Sequence, residues 1–243
     1  MSNSRITWLT PGDSSDAFPP LDMALSEPEG LLAAGGDLST ERLLYAYRNG
    51  IFPWYEDGQP LLWWSPDPRC VMRADDLHMS RRLRRELRKG TAEVRFNTVF
   101  GEVIRACAAP RRSQQGTWIT GQMIEAFERL HDEGWAHSIE VWRDSQLTGG
   151  LYGIAIGRAF FGESMFSREP NASKIALLAL SRHMRRGEFE ILDCQVASRH
   201  LLDLGATLMP REQFAALLGR LCEPQKAFEN WPSAPITASG LVQ

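Results

Sequence analysis

At 243 residues the chain is long enough for one large domain or two small ones around a sizeable buried core. Its 43% hydrophobic and 23% charged residues exclude a disordered chain or a coiled coil, and a formal net charge of −3 does not announce a nucleic-acid binder. Cys70, Cys107, Cys194 and Cys222 stand far apart, without a CxxC or a Cys/His cluster, which argues against a zinc site or a disulfide framework. No cationic segment followed by an apolar stretch opens the chain, and the apolar run GGLYGIAIG is too short to span a bilayer. The expectation is a soluble cytoplasmic protein with no membrane partner.

Residues 1–65 read as a small irregular unit. A short strand is expected over Arg5–Thr10, and LSTERLLYAYRNG forms one helix capped by Ser39 or Thr40 and ended by Asn49-Gly50. The prolines of IFPWY and LLWWSPDPR forbid a regular helix through either segment. Residues 66–222 are more regular. Helices are expected over Arg81–Lys89 with Ser80 as cap, over Val99–Ala108 and over Gly121–Glu133. Three strands follow in SIEVWR, QLTGGLYGIAIG and RAFFGESMF, the first two joined as a hairpin around Arg143–Ser145. A helix over Ala172–Arg186, the strand EILDCQ, the short helix SRHLLDLG and a last helix REQFAALLGRL complete this part. The tail from Glu223 to residue 243 has no period and reads as irregular. Antiparallel strands, a helix and another strand make an α+β unit with one mixed, mostly antiparallel sheet, the order found in acetyltransferase-like (GNAT) domains.

Charge is unevenly spread. Between Arg69 and Arg112 twelve Lys and Arg stand against five Asp and Glu, so the rest of the chain is strongly acidic. Arg81, Arg84, Arg85 and Arg88 recur at helical spacing and place four guanidiniums on one ridge, while Leu83 and Leu87 face a core. Guanidinium matches phosphate bidentately, so the ridge is a candidate RNA-binding surface; a solvated helix face is the plainer alternative.

Two strands carry polar residues where apolar ones are expected. Glu163 sits among aromatics and Met165, where an unpaired carboxylate is costly. Asp193 and Gln195 share one face at the end of a buried strand. Asp193 capping a turn and Glu163 pairing with an arginine is one account, and convergence of all three on a site is the other. Alternation turns Cys194 away from Asp193, which makes it a structural buried thiol rather than a nucleophile paired with His137 or His200. His131, His137 and His183 lack metal spacing. NASK (171–174) opens a helix without the glycines of a phosphate loop, and the Arg/Gln-x-x-Gly-x-Gly/Ala signature of coenzyme A binding is missing.

IFPWY (51–55), WWSPDPR (63–69), GTWIT (116–120), LHDEGWAHSIEVW (130–142), GGLYGIAIGRAFFGESMFS (149–167), NASKIAL (171–177), LDCQ (192–195) and LGA (204–206) together resemble the leucyl/phenylalanyl-tRNA–protein transferases. The resemblance implies a small N-terminal domain, an acetyltransferase-like catalytic domain, and no metal or coenzyme A. It implies transfer of Leu or Phe, and Met less well, from Leu-tRNA or Phe-tRNA to proteins or peptides beginning with Arg or Lys, which marks them for N-degron proteolysis. It places Trp54, Trp118, Leu151, Phe160 and Phe166 around the aminoacyl and adenosine groups, with Leu151 where relatives often carry Met. On this reading Asp193 holds and helps deprotonate the acceptor amine, Gln195 is its hydrogen-bonded partner, Glu163 holds the acceptor's cationic side chain or supports the adenosine, and the arginine ridge meets the tRNA. A peptidoglycan-type tRNA-dependent ligase and a non-catalytic RNA-binding module are the competing readings.

Overall fold

The computed structural model describes residues 6–110, 117–223 and 227–242. Arg5 of the first expected strand, and Arg111 and Arg112 of the basic stretch, lie outside the described residues. The first elements are β1 (Thr7–Leu9), β2 (Leu31–Gly35), α1 (Thr40–Arg48), β3 (Phe52–Pro53) and β4 (Leu62–Trp64). The four strands form a small sheet in the order β1-β2-β4-β3, with β1 parallel to β2. The prolines of this region keep β3 and β4 to two and three residues.

The second sheet has eight strands. Its elements are β5 (Arg69–Met72), α2 (Arg81–Leu87), β6 (Glu93–Phe96), α3 (Phe100–Ala108), α4 (Gly121–Asp132), β7 (Ala136–Arg143), β8 (Gln146–Ile156) and β9 (Ala159–Ser167). Then come α5 (Ala172–His183), β10 (Ile191–Gln195), α6 (Arg199–Asp203), β11 (Thr207–Met209), α7 (Arg211–Leu221) and β12 (Ile236–Thr237). The order is β11-β5-β10-β9-β8-β7-β6-β12. Among the described residues only β9 and β10 pair in parallel there, joined through α5, so the sheet is mixed and mostly antiparallel within an α+β fold. One core packs α1, α3, α4 and α7 against the sheet, and the other packs α2 and α5.

Local chemistry explains several boundaries. The side chains of Ser80, Thr120 and Ser198 accept from the third amide beyond them and cap α2, α4 and α6. Asp144 and Ser145 adopt φ of +47° and +61°, the two left-handed positions that a two-residue hairpin between β7 and β8 requires. A β-carbon at Gly153 would collide with the Phe161 carbonyl oxygen and the Phe160 ring, so glycine permits the close β8–β9 pairing.

Two expectations need correction. The α-helix after Asn171 ends at His183 and passes into a π-type turn over Met184–Glu188, short of Arg186. The tail is not irregular throughout: β12 pairs with β6, and a 3-10 turn over Ala238–Val242 follows. Trp231 anchors it against Phe96, His137, His183, Phe189 and Phe228, with ring centroids 4.5–5.8 Å apart. Phe228, Ile236, Ala238 and Leu241 of the tail pack on the same core, and contacts so irregularly spaced leave no period in the sequence.

Candidate active site

The site forms where β10 ends. β10 bulges between Asp193 and Gln195, and Gln195 takes a left-handed φ of +62°. The Gln195 backbone N–H donates to Asp193 Oδ1 at 2.9 Å. Arg69 on β5 grips the same carboxylate, Nε to Oδ1 at 2.8 Å and Nη2 to Oδ2 at 2.6 Å. Its Nη1 donates to the Gly50 carbonyl at 3.0 Å, and the guanidinium lies over the rings of Phe52 and Phe214. Arg69 and Asp193 are 1% and 0% exposed. Such a buried pair persists because its geometry is bidentate and its remaining donors are satisfied. Asp193 thus lies beneath the bulge with both oxygens engaged, and it lines neither cavity described below.

Glu163 on β9 lies above it. Its Oε1 accepts from the Tyr47 hydroxyl at 2.7 Å and from Gln195 Nε2 at 2.6 Å, and its second oxygen has no hydrogen-bond partner among the described residues. Burial pushes its carboxyl up to about 7, more than the two donors pull it down; Asp193 adds to the rise and Arg69 opposes it. Burial, reinforced by Glu163, lifts the Tyr47 phenol well above its ordinary value and keeps it a proton donor.

Two cavities meet at Glu163 and Cys194. One, of about 100 Å³, is walled mainly by Leu151, Met165, Leu177, Leu180, Leu192 and Leu201. The other, of about 160 Å³, is walled by Phe52, Pro53, Trp54, Trp118, Gln195 and Val196. An apolar recess and an aromatic cleft therefore share the Glu163 carboxyl, poised near neutrality, and the Gln195 carboxamide beside it lines the cleft. A shape of this kind suits a ligand with an apolar side chain at one end and a flat ring at the other, its reacting atoms lying between.

Glu163 and Gln195 are brought together as sequence reasoning expected, and Trp54, Trp118 and Leu151 line the cavities. Phe160 and Phe166 do not. Phe160 is fully buried against Phe189 and Trp231, and Phe166 lies under the Arg168 guanidinium. Sequence reasoning missed Tyr47, Arg69, Met165, Leu177, Leu180 and Leu192. Leu177 and Leu180 carry a usable signal, three apart on α5, and Met165 follows Glu163 at strand spacing. Cys194 faces away from Asp193 as alternation predicts, but it is partly exposed and lines both cavities instead of lying sealed in a core; Gln195, expected on the Asp193 face, is turned by the bulge into the aromatic cleft.

The arginine ridge stands on α2 as the spacing predicts, with Arg81, Arg84, Arg85 and Arg88 all exposed. Glu86 turns aside to Arg143 at 2.7 Å and Asn171 Nδ2 at 2.7 Å, so it leaves the ridge unneutralised. His137 and His183 are buried, and burial holds them down at about 3 and about 4. His131 stacks on Phe100. Among the described residues no group of three or more His, Cys, Asp and Glu is placed to hold a metal, and no helix is long and apolar enough to cross a membrane.

Comparison with known proteins adds an independent line. The family described as leucyl/phenylalanyl-tRNA protein transferase matches residues 71–219, and the N-terminal domain of the same family matches residues 36–67. A leucyl/phenylalanyl-tRNA–protein transferase of Pseudomonas aeruginosa is 58% identical over 215 residues, covering 88% of this chain and 94% of its own length. One from Nitrosospira multiformis is 54% identical over 226 residues, covering 93% and 96%. Among solved structures, FemX aligns over 73% of this chain and 70% of its own at 10% identity and a TM-score of 0.43. The C-terminal domain of a putative lysylphosphatidylglycerol synthetase from Agrobacterium fabrum aligns over 78% and 58% at 9% identity and a TM-score of 0.39. With both family segments matched in order and more than half of all positions identical across nearly full-length relatives, this chain belongs to the leucyl/phenylalanyl-tRNA–protein transferase family and is a tRNA-dependent aminoacyltransferase.

Proposed function

We propose that the chain transfers Leu or Phe, and Met less well, from aminoacyl-tRNA to the α-amine of proteins beginning with Arg or Lys, a cytoplasmic reaction that marks them for N-degron proteolysis. The observation that carries this reading is the pair of cavities joined at Glu163. The leucine-rich recess takes the aminoacyl side chain, and the cleft between Trp54 and Trp118 takes the terminal adenosine. The ester then lies over Glu163 and Gln195. Phosphates farther along the tRNA acceptor arm meet the ridge of Arg81, Arg84, Arg85 and Arg88.

The donor ester is already activated, so the reaction needs neither an energy source nor a cofactor. The neutral acceptor amine attacks the ester carbonyl, a C–N bond forms, and the tetrahedral intermediate expels the 3′-oxygen of the adenosine. An α-amine titrates at about 7.7–8.0 and needs little help to lose its proton. Glu163, at about 7, is matched to accept that proton and return one to the departing oxygen. Gln195 and Tyr47 hold its first oxygen and leave the second for the amine. Asp193 acts through others: it fixes Arg69 and the Gln195 amide, and so sets the bulge that aims the carboxamide. The test is incubation of radiolabelled Leu-tRNA with a peptide beginning with Arg, and with the same peptide acetylated. Label on the free peptide alone is expected; equal labelling of both, or of neither, overturns the proposal.

A further inference from the structure

Two thiols meet at the bulge and take no part in the reaction as described. Along β5 and β10 the register pairs Leu192 with Met72 and Asp193 with Val71, then jumps to Gln195 with Cys70. The bulge thus sets two residues, Cys194 and Gln195, against the single Cys70. Both cysteines are free, and both belong to the same core, Cys70 buried within it and Cys194 packed against it. Cys194 is the chain neighbour of Gln195, the residue directly opposed to Cys70, so the bulge brings the two cysteines side by side on one face of the sheet.

Access is asymmetric. Cys70 is fully buried, whereas Cys194 is partly exposed and lines both cavities. Cys107 and Cys222 lie buried in the other core. A small oxidant entering the recess therefore meets Cys194 before the buried Cys70. We propose that Cys70 and Cys194 form an oxidation site for a hydroperoxide, which links them as a disulfide and halts transfer.

Beside Cys194 the Cys70 thiol is held below its ordinary value, and in this proposal Cys70 reacts as the thiolate that takes the Cys194 proton. As Cys194 sulfur attacks the peroxide, its proton passes to Cys70. An S–O bond forms, the O–O bond breaks and hydroxide leaves. Cys70 sulfur then attacks the sulfenic acid; an S–S bond forms, the S–O bond breaks, and water departs with the Cys70 proton. Two thiols lose two electrons, and the peroxide is reduced to hydroxide and water. Gln195 is the next residue in the chain. A bond that draws Cys194 onto Cys70 displaces the left-handed turn and parts Gln195 Nε2 from Glu163, while the exposed ridge on α2 keeps its hold on tRNA. The loss of transfer rests on the function proposed above, but formation of the link does not.

The experiment treats the whole enzyme with hydrogen peroxide and reads intact mass, peptide cross-links, single-turnover transfer and tRNA affinity. A mass lower by two hydrogens, a Cys70–Cys194 cross-linked peptide and a fall in transfer of about a hundredfold are expected, since a displacement near 1 Å at a reaction centre has that effect. Dithiothreitol should restore the rate, and tRNA affinity should not move. Cys70→Ala, compared with its own untreated rate, should show no cross-link and no loss that dithiothreitol reverses. Peroxide-treated parent without the Cys70–Cys194 link overturns the proposal. A complete link with transfer at the untreated rate overturns its control of the reaction. An untreated enzyme that fails to transfer counts against the proposed function instead, and the mass measurement still decides the thiol pair.

Discussion

Gln195 reaches Glu163 from a left-handed backbone, its Nε2 only 2.6 Å from Oε1 while its own amide is held by Asp193. One residue thereby carries the buried carboxylate beneath the bulge into contact with the carboxyl that faces the cavities. The backbone strain is local and is sustained by the ion pair below it.

The raised value of Glu163 has a consequence for stability. An unfolded glutamate titrates at 4.5 and the folded one at about 7, so the fold favours the protonated form. The resulting stability is fully present below pH 4.5 and is lost as pH rises through 7, a change on the order of 3 kcal/mol. Glu163→Gln should remove that component and flatten the pH dependence of urea unfolding between these limits. A parent and variant with parallel pH profiles would show that Glu163 titrates normally.

Transfer should follow the same carboxyl. With saturating Leu-tRNA the parental single-turnover rate should rise as Glu163 ionises, and Glu163→Gln should lower the neutral-pH rate by about 10²–10⁴-fold. Because an α-amine also sheds its proton unaided, raising the pH should recover part of the loss. Near-parental transfer by the variant at neutral pH would remove Glu163 from proton transfer.

Asp193→Asn removes the carboxylate charge opposite Arg69 and leaves a guanidinium buried without its counter-ion. Such a break typically destabilises by about 3–5 kcal/mol. The double variant Asp193→Asn, Arg69→Met should recover part of that stability. Urea midpoints of the two variants test this, and equal midpoints would mean that the pair is not coupled as its geometry requires.

The recess sets amino-acid preference. Leu180→Ala deepens it, and competition between Leu-tRNA and Phe-tRNA should move toward Phe by at least about tenfold, the discrimination that one or two buried carbons confer. An unmoved ratio would place the aminoacyl side chain elsewhere.

On α2, Arg84→Ala together with Arg85→Ala should flatten the slope of log K for tRNA against log[salt] by about 1.8, or 0.9 per lost phosphate contact. The Leu-to-Phe preference should not change. An unaltered slope in a folded variant would take this helix out of the tRNA surface.

Much of this arrangement was legible in the amino-acid order because it is written locally. Ser80, Thr120 and Ser198 announce helix starts, Asp144-Ser145 announces a hairpin, and Glu163 and Gln195 stand out as polar residues in apolar strands. What stayed hidden depends on distant partners or on broken regularity. Arg69 lies 124 residues before Asp193, and Tyr47 lies 116 before Glu163, so no spacing rule could join them. Alternation puts Gln195 on the Asp193 face because it presumes an even pleat, and the bulge that turns Gln195 toward the Cys194 side is invisible until β5 is laid beside β10. The resemblance alone places Phe160 and Phe166 at the pocket, and neither lines the two cavities, because large aromatics fill cores as readily as ligand sites.

The Tyr47 hydroxyl and the Gly50 carbonyl both belong to the small N-terminal unit, yet one touches Glu163 and the other touches Arg69. The first 65 residues therefore supply part of the medium in which the reaction centre titrates. A chain begun at residue 66 would not be a bare catalyst awaiting its accessory piece. It would hold a carboxyl tuned to a different pH and an arginine short of one acceptor, so the N-terminal unit is a component of the chemistry and not a handle attached to it.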